Sequence, residues 1–572
     1  MQYILGRKNN KNHIDLINKK LNLKENINIV FYGELYNKNE LKQDLLRQGY
    51  NLKSDNEIDI ILCGYEVYSV NFFEKMNGGF VLIINDNQND ELLIVRDCVG
   101  IKPVYYYSDL EKLIFSTSLK KMKEYYEKEI NFELNNEALE SYLSFQYSVL
   151  NESLYKNIYK LLPGHYLIYK NNNVKIEQYY KITFETNYNK SIEEYAKEIH
   201  ENTKRIVSDY EINADNITTF LSSGVDSSYV TSLAKKAKDT YTIGFENLVQ
   251  NESNYAKALS DKLKKKNNLI NVTGDMYFEA IKEISKFIDE PLADPSSVGL
   301  FLLCKEASKK YTTALIGEGV DEFFGGYNVY KEPLEFSIYN KIPFIFRKVV
   351  GIFCSLLPEI RGINFLVRRG KKVEDWYIGN ANIFSYKERR TILKNKTNLL
   401  KPKDFTKKYY DLVKEQDDIT KMQYIDINLW LVGDELFNAE MMGKYNNINL
   451  KAPFLNRDLI DIATKVPVEQ RVSIKNTKLV LRLAAKNTLD KNWYDKKKLG
   501  FPIPLRNWLK EEKYYNMVKE CFESNVANKI FNNKKIINLL DEHRKGKKDN
   551  SRKIWVIYVF VLWYQYNLGE EV

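Results

Sequence analysis

Eleven residues, Phe220–Val230 (FLSSGVDSSYV), restrict the fold of this chain more than any other segment. The apolar run before them predicts a strand and SSYVTSLAKKAK after them predicts a helix, with only a small-residue turn between. The rhythm of strand and helix continues through TYTIGF and YTTALIGEG, as a parallel sheet with crossover helices requires. Ser222, Ser223 and Gly224 are small enough for backbone amides to close on an anion at the helix N-terminus. Such a turn alone is ordinary turn chemistry. Asp226 changes its meaning, because a carboxylate in an anion-binding loop is unfavourable unless a cation such as Mg²⁺ joins it to phosphate.

A second loop, Leu315–Tyr327 (LIGEGVDEFFGGY), sets Glu318, Asp321 and Glu322 among four glycines after another apolar run. Acids complement the dipole of a helix N-terminus, which accounts for one or two of them but not for glycines on both sides. Two loops that each follow a strand and each carry an Asp can converge at the carboxyl edge of one sheet. That geometry suits a Mg²⁺–nucleotide.

The first third reads as strands. INIVFYGELY, GGFVLIIND and ELLIVRD are short apolar or alternating runs between Asn, Asp and Gly clusters. Hairpin loops are expected at Asp86–Asp90 and Ser108–Lys112, and a further hairpin over Gly164–Ile182 turns at Asn171–Asn173. Together these predict an antiparallel β-rich or α+β domain. Near residue 190 the period becomes helical, and Ser191 with Glu194 has capping-box spacing. Beyond Glu332 the chain reads as mostly helical and irregular. The 572 residues therefore divide into an expected domain over 1–185 and another over 186–572.

Composition excludes several classes. With 44% hydrophobic and 28% charged residues, wholesale disorder is ruled out. Five dispersed cysteines without a CxxC pair exclude a disulfide framework and a cysteine-rich zinc module, and four scattered histidines argue against a histidine metal site. Cys63 and Cys98, in apolar contexts, read as buried hydrophobes. The net charge of +10 comes from lysines interleaved with acids, which reads as solvated surface and not a nucleic-acid groove. Ile554–Trp563 (IWVIYVFVLW) falls short of the roughly 20 residues that span a bilayer, so a buried core helix is expected there. Val349–Leu357 is also short, with Arg347 and Lys348 just before it. The polar start lacks a signal-peptide core. The expectation is a soluble cytoplasmic protein with neither nucleic acid nor membrane as partner.

FLSSGVDSS resembles the pyrophosphate loop, SGGxDS, of the asparagine synthetase family within the ATP pyrophosphatase superfamily. YTIGFENLVQNESNYAKALSDKL, IDEPLADPSS, LIGEGVDEFFGGY, NTKLVLRLAA and KKKLGFPIPLRNWL resemble its later blocks in the same order, so the likeness covers nearly the whole chain. The resemblance implies an α+β and α/β pair. An N-terminal antiparallel Ntn-hydrolase-like β sandwich would precede a doubly wound parallel-sheet ATP pyrophosphatase domain with a helical extension. It also implies an amide ligase that uses ATP and Mg²⁺, adenylates a substrate carboxylate, releases pyrophosphate and passes the acyl group to a nitrogen nucleophile. In that reading Asp226 and Asp321 hold Mg²⁺, and Ser222, Ser223, Gly224 and Ser227 cradle phosphate. Leu221, Ile243 and Gly317 line the nucleoside pocket, and Lys478 and Lys498 stabilise phosphate charge. Glu318 orients or deprotonates the amine, where related lactam-forming synthetases resemble one another in carrying tyrosine.

The chain also departs from the family. Position 2 is Gln2, where glutamine-dependent members carry the cysteine whose thiol and free α-amine hydrolyse glutamine. The RGPD block is absent, and Tyr32 stands where the oxyanion Asn is expected, although Gly33, Glu34 and Asp55 match glutamine-pocket positions. A degenerate, inactive glutaminase-like domain is the expectation. In EMMGKYNNINLKAPFLN, Glu440, Met441, Lys444, Asn449, Lys451 and Asn456 replace the residues of the family block DRxSMAxxxExRxPFLD, which puts aspartate in doubt as the acceptor. Three readings stay open: a ligase fed by ammonia, a partner glutaminase or a substrate amine; a peptide or lactam macrocyclase joining an Asp or Glu side chain to an amine, as in natural-product and lasso-cyclase-like relatives; and a non-catalytic scaffold. The partners implied are a carboxylate-bearing small molecule or peptide, an amine or ammonia donor, and a protein that delivers substrate.

Overall fold

The computed structural model describes residues 3–9, 14–16, 22–24, 26–52, 54–246, 252–335, 337–357, 363–397, 401–497 and 503–569. Two antiparallel sheets form the N-terminal part. One runs, edge to edge, through Asn173–Gln178, His165–Lys170, Glu91–Arg96, Gly78–Asp86, Ile27–Leu35 and Asn22–Lys24. The other runs through Ile14–Leu16, Leu5–Asn9, Lys112–Ser116, Tyr105–Ser108 and Tyr159–Lys160. Ile83, Ile94 and Leu167 of the first sheet meet Leu113 and Phe115 of the second. On its other face the first sheet is covered by helices carrying Leu41, Leu45, Ile60 and Phe73. All nine residues of Gly78–Asp86 are therefore buried, which is why that strand reads as a continuous apolar run without alternation. The expected hairpins are present, with register pairs Asp86↔Glu91, Ser108↔Leu113 and Lys170↔Asn173.

The C-terminal part is built on a five-stranded parallel sheet: β1 (Ile217–Phe220), β2 (Asp239–Phe245), β3 (Lys266–Val272), β4 (Thr313–Leu315) and β5 (Asn449–Lys451), in the order β3-β2-β1-β4-β5. From β1 the chain winds outward to β3, then returns to β1's other side for β4. Adjacent strands β1 and β4 pair in register Ile217↔Thr313 to Thr219↔Leu315, so the topological switch lies between them. The helix Ile192–Ile212 leading into β1 begins with the expected capping box of Ser191 and Glu194.

The two parts share one apolar core. Leu5, Tyr105 and Ile114 of the smaller N-terminal sheet belong to the same cluster as Ile199, Phe220 and Leu315. Ile554–Trp563 lies inside helix Ser551–Asn567 and is buried in that cluster, as its length predicts.

The strand reading of the first third misses the helices Lys38–Arg47, Glu57–Tyr68, Leu119–Tyr126 and Asn136–Phe145. Lys38–Arg47 buries only Leu41 and Leu45, too few apolar positions to mark a helical period against a polar background. Strand β3 escapes for a similar reason: KNNLINV is a polar sheet edge with a single fully buried residue, Val272.

Candidate functional site

The first loop leaves the carboxyl end of β1. Ser222 N–H donates to Ser227 Oγ at 3.1 Å, and Gly224 N–H donates to Ser222 Oγ at 3.1 Å. The turn is thus closed by its own hydroxyls before any ligand arrives. Gly224 is the N-cap of helix Val225–Leu233 and has no side chain to cap it, so the first-turn amides stay accessible from the pocket side.

The second loop leaves the carboxyl end of β4, next door. Gly319 takes φ +86°, a left-handed turn that side-chain-bearing residues resist, and it starts the short helix Val320–Phe323 that carries Asp321. The loops touch: a Cβ on Gly317 would lie 3.0 Å from Asp226 Cβ and 3.0 Å from Ser227 N. Leu221, Ser222, Ser223, Asp226, Ser227, Ile243, Gly317, Glu318 and Asp321 line one cavity of about 220 Å³, together with Thr242 and Ile316. Gly224 sits in the turn that forms its wall.

Asp226 and Asp321, 95 residues apart in sequence, meet at a third group. Lys478 Nζ donates to both carboxylates, at 2.8 Å for Asp321. Lys478 is 2% exposed and takes φ 58° at the start of helix Leu479–Ala485. Burial works against its charge, but Asp226 and Asp321 outweigh it and hold the ammonium above its ordinary pKa. The fit is tight, for a Cβ on Gly326 would fall 2.1 Å from Lys478 Cε and 1.8 Å from an Asp321 oxygen. Lys498 lies outside the described residues. Arg482, which the sequence reading missed, donates to the carbonyls of Tyr494 and Lys496 at 2.8 Å each and so fixes the approach to that position.

Among the described residues no group of three or more His, Cys, Asp or Glu is placed to hold a metal. Two carboxylates converging on one cation beside an anion loop nevertheless match what Mg²⁺ takes when substrate phosphates and water complete its shell.

Glu318, in the same loop as Asp321, also lines the cavity. Burial, together with the carboxylates of Asp321, Asp226 and Asp294, pushes it up to about 7 although it hydrogen-bonds Glu435. Burial and Glu318 raise Glu435 well above the usual carboxylate range. Such a pair holds a proton between them near neutrality. Trp430 Nε1 donates to Glu435 Oε1 at 3.2 Å. Glu435 ends a π-helical segment, Asp426–Glu435, a local widening that often marks functional positions. Nothing in the sequence DINLWLVGDE announces it, because a π turn changes the period of a single stretch only. The third acid, Glu322, is 1% exposed, pushed by burial and Asp321 up to about 8, and held by the Tyr327 hydroxyl.

The positions that depart from the family pattern gather elsewhere. Tyr32 donates to Glu440 Oε1 at 2.7 Å, and Lys102 pairs with Glu440 Oε2 at 2.5 Å. Lys444 Nζ donates to Thr117 O at 2.9 Å, Lys451 pairs with Glu34 at 2.6 Å, and Asn77 bonds Asn456 at 3.0 Å. The altered block Glu440–Asn456 therefore forms the seam against the N-terminal sheets. Tyr32, Gly33 and Glu34 line a chamber of about 470 Å³ on that seam, and Ile316 borders both it and the cavity of the two loops. Asp55 is not there: it is surface-exposed and pairs with Lys42 at 2.9 Å. Cys98 is buried and its thiol is pushed up to about 12, whereas Cys63 is half-buried. Gln2 lies outside the described residues.

Comparison with known sequences decides the kinship. Residues 202–565 match the asparagine synthase family model. The chain belongs to the asparagine synthase family. Residues 17–180 match the glutamine amidotransferase domain that precedes the synthase region. The chain is 34% identical over 553 residues to asparagine synthetase (glutamine-hydrolysing) 1 of Bacillus subtilis, covering 95% of this chain and 86% of the relative. A Mycobacterium tuberculosis protein with the same activity in its provisional name is 30% identical over 549 residues, 94% of this chain and 84% of its own. As an asparagine synthase homologue the chain is a carbon–nitrogen ligase, with an Ntn-type amidotransferase fold in front of the ATP-dependent ligase fold.

Proposed function

We propose that the protein condenses a carboxylate with ammonia or an amine through an acyl-adenylate, releasing pyrophosphate and AMP, and that its N-terminal domain hydrolyses no glutamine. The observation that carries the first half is the meeting of Asp226 and Asp321 on Lys478 at the switch point of the parallel sheet. In this reading Leu221, Ile243 and Gly317 would take the base of ATP, and Ser222, Ser223, Gly224 and Ser227 its phosphates; all but Gly224 line the cavity. Asp226 and Asp321 would hold Mg²⁺, which supplies positive charge to the pyrophosphate leaving group. Lys478, which these carboxylates now hold, would then supply positive charge to the phosphates, with Lys498 as the matched second cation. Glu318, with Glu435 behind it, takes the proton that the amine loses on attack.

The second half rests on sequence and on Tyr32. No cysteine stands at position 2, and the residue at the oxyanion position spends its hydroxyl on Glu440. We assign 1–185 to the silent amidotransferase unit and 186–572 to the ligase. Pyrophosphate release with ATP, Mg²⁺, candidate acids and ammonium tests this reading. Asp226→Asn and Asp321→Asn each lower turnover at least about 100-fold. Amide formation driven by glutamine on the purified chain overturns the silent-domain assignment. Unchanged pyrophosphate release in both Asp variants overturns the ligase site.

A further inference from the structure

Between Lys341 and Lys372 the described residues include the helices Phe344–Cys354 and Ile363–Arg369, packed against each other. The first is held by one narrow face. Arg347 donates to Arg369 O at 3.3 Å, Gly351 and Cys354 are buried, and a Cβ on Gly351 would lie 3.0 Å from Gly370 Cα. Those contacts recur at positions 347, 351 and 354, one side of a helix. Opposite them, at 345, 349, 352, 353 and 356, stand Ile345 62%, Val349 62%, Ile352 57%, Phe353 64% and Leu356 80% exposed. An apolar stripe aimed away from its own protein is not core, and a patch of this kind marks an interaction surface.

Charge identifies what covers it. Between Lys341 and Lys372 the sequence holds eight basic residues and one acid, Glu359. Lys341, Lys348, Lys371 and Lys372 are exposed, and no ion pair among the described residues engages them. Two copies of this face pressed together would oppose like charges across the contact. An anionic surface with an apolar layer beneath its charge satisfies both features at once. We propose that this helix pair is a peripheral anchor that lays the stripe Ile345–Leu356 into the headgroup layer of an anionic bilayer, with the lysines on the lipid phosphates. This revises the expectation of no membrane partner, which was drawn from the shortness of the apolar runs. Among the described residues no helix is long and apolar enough to cross a membrane, but lying on a surface requires only one apolar face.

Flotation of the full chain with phosphatidylcholine vesicles, with and without phosphatidylglycerol, tests the proposal. The expected result is co-flotation with the phosphatidylglycerol vesicles that high salt abolishes. Ile352→Glu with Phe353→Glu lowers vesicle partitioning at least about ten-fold. Lys348→Glu lowers it about five-fold or more, since each basic residue near the surface contributes on that scale. Both variants keep the far-ultraviolet dichroism, the melting temperature and the pyrophosphate release of the parent chain. Failure of the folded parent to float with either vesicle overturns the anchor. So does equal binding to neutral vesicles, or a concentration-dependent dimer that Ile352→Glu dissolves, which would assign the stripe to a second copy of the chain.

Discussion

At the scale of single residues the chemistry turns on protonation. Lys478 is held above its ordinary pKa by Asp226 and Asp321, so it sets no limb of a rate profile near neutrality. Glu318 does. Its carboxyl is pushed by burial up to about 7, so below that pH it is protonated and is no longer a base able to take the proton of the amine. Amide formation in the native chain should therefore rise with pH to a plateau above about 7, with ammonium's own deprotonation controlled by using an amine of low pKa. Glu318→Gln keeps the volume of the side chain, removes the acid limb and lowers turnover by about 10²–10⁴. A variant that kept the limb would move the proton acceptor to Glu435, its hydrogen-bonded neighbour. The residue scale is also where sequence reads best. Asp226, Asp321 and Glu318 sit in loops marked by clustered glycines and small residues, whereas Glu435 lies inside an ordinary-looking helical run and becomes visible only when the fold brings it to Glu318.

Elements were legible where one physical demand dominates their sequence. Gly78–Asp86 is buried on both faces and reads as a strand; Ile192–Ile212 has a capping box and a regular apolar face and reads as a helix. Lys38–Arg47 and β3 are stabilised from outside, by the sheet beneath the helix and by pairing along β2, so their own residues say little. The helix Ser551–Asn567 is the reverse case, specified almost entirely by its own burial. Trp563 is 0% exposed, and its Nε1 donates to Ile288 O at 3.2 Å. Trp563→Ala opens a cavity and strands that carbonyl, at a cost of about 3–5 kcal/mol. A fall in the thermal midpoint with the nucleotide loops unaltered, read by unchanged KM for ATP in the cold, is the expected signature. A change confined to KM would place the helix in the site instead of the core.

For the whole molecule the question is what keeps the amidotransferase fold joined to the ligase. The seam supplies an answer that no single motif reveals. Tyr32, Lys102 and Glu34 from the N-terminal part engage Glu440 and Lys451 from the ligase, and a single apolar cluster runs from Leu5 to Trp563 across the same boundary. Tyr32 and Glu440 each look like a loss when read against the family pattern; together they are one hydrogen bond. An amidotransferase fold joined in this way is part of the ligase's core, and the two should unfold together. Differential scanning calorimetry is expected to give one transition for the native chain. Glu440→Ala leaves Lys102, only 15% exposed at its side chain, without its partner, which costs about 3–5 kcal/mol. Over 572 residues that corresponds to a fall in Tm of about 3 °C, with the transition still single because the apolar cluster is untouched. Two separated transitions in the native chain would mean that the N-terminal domain is an independent passenger.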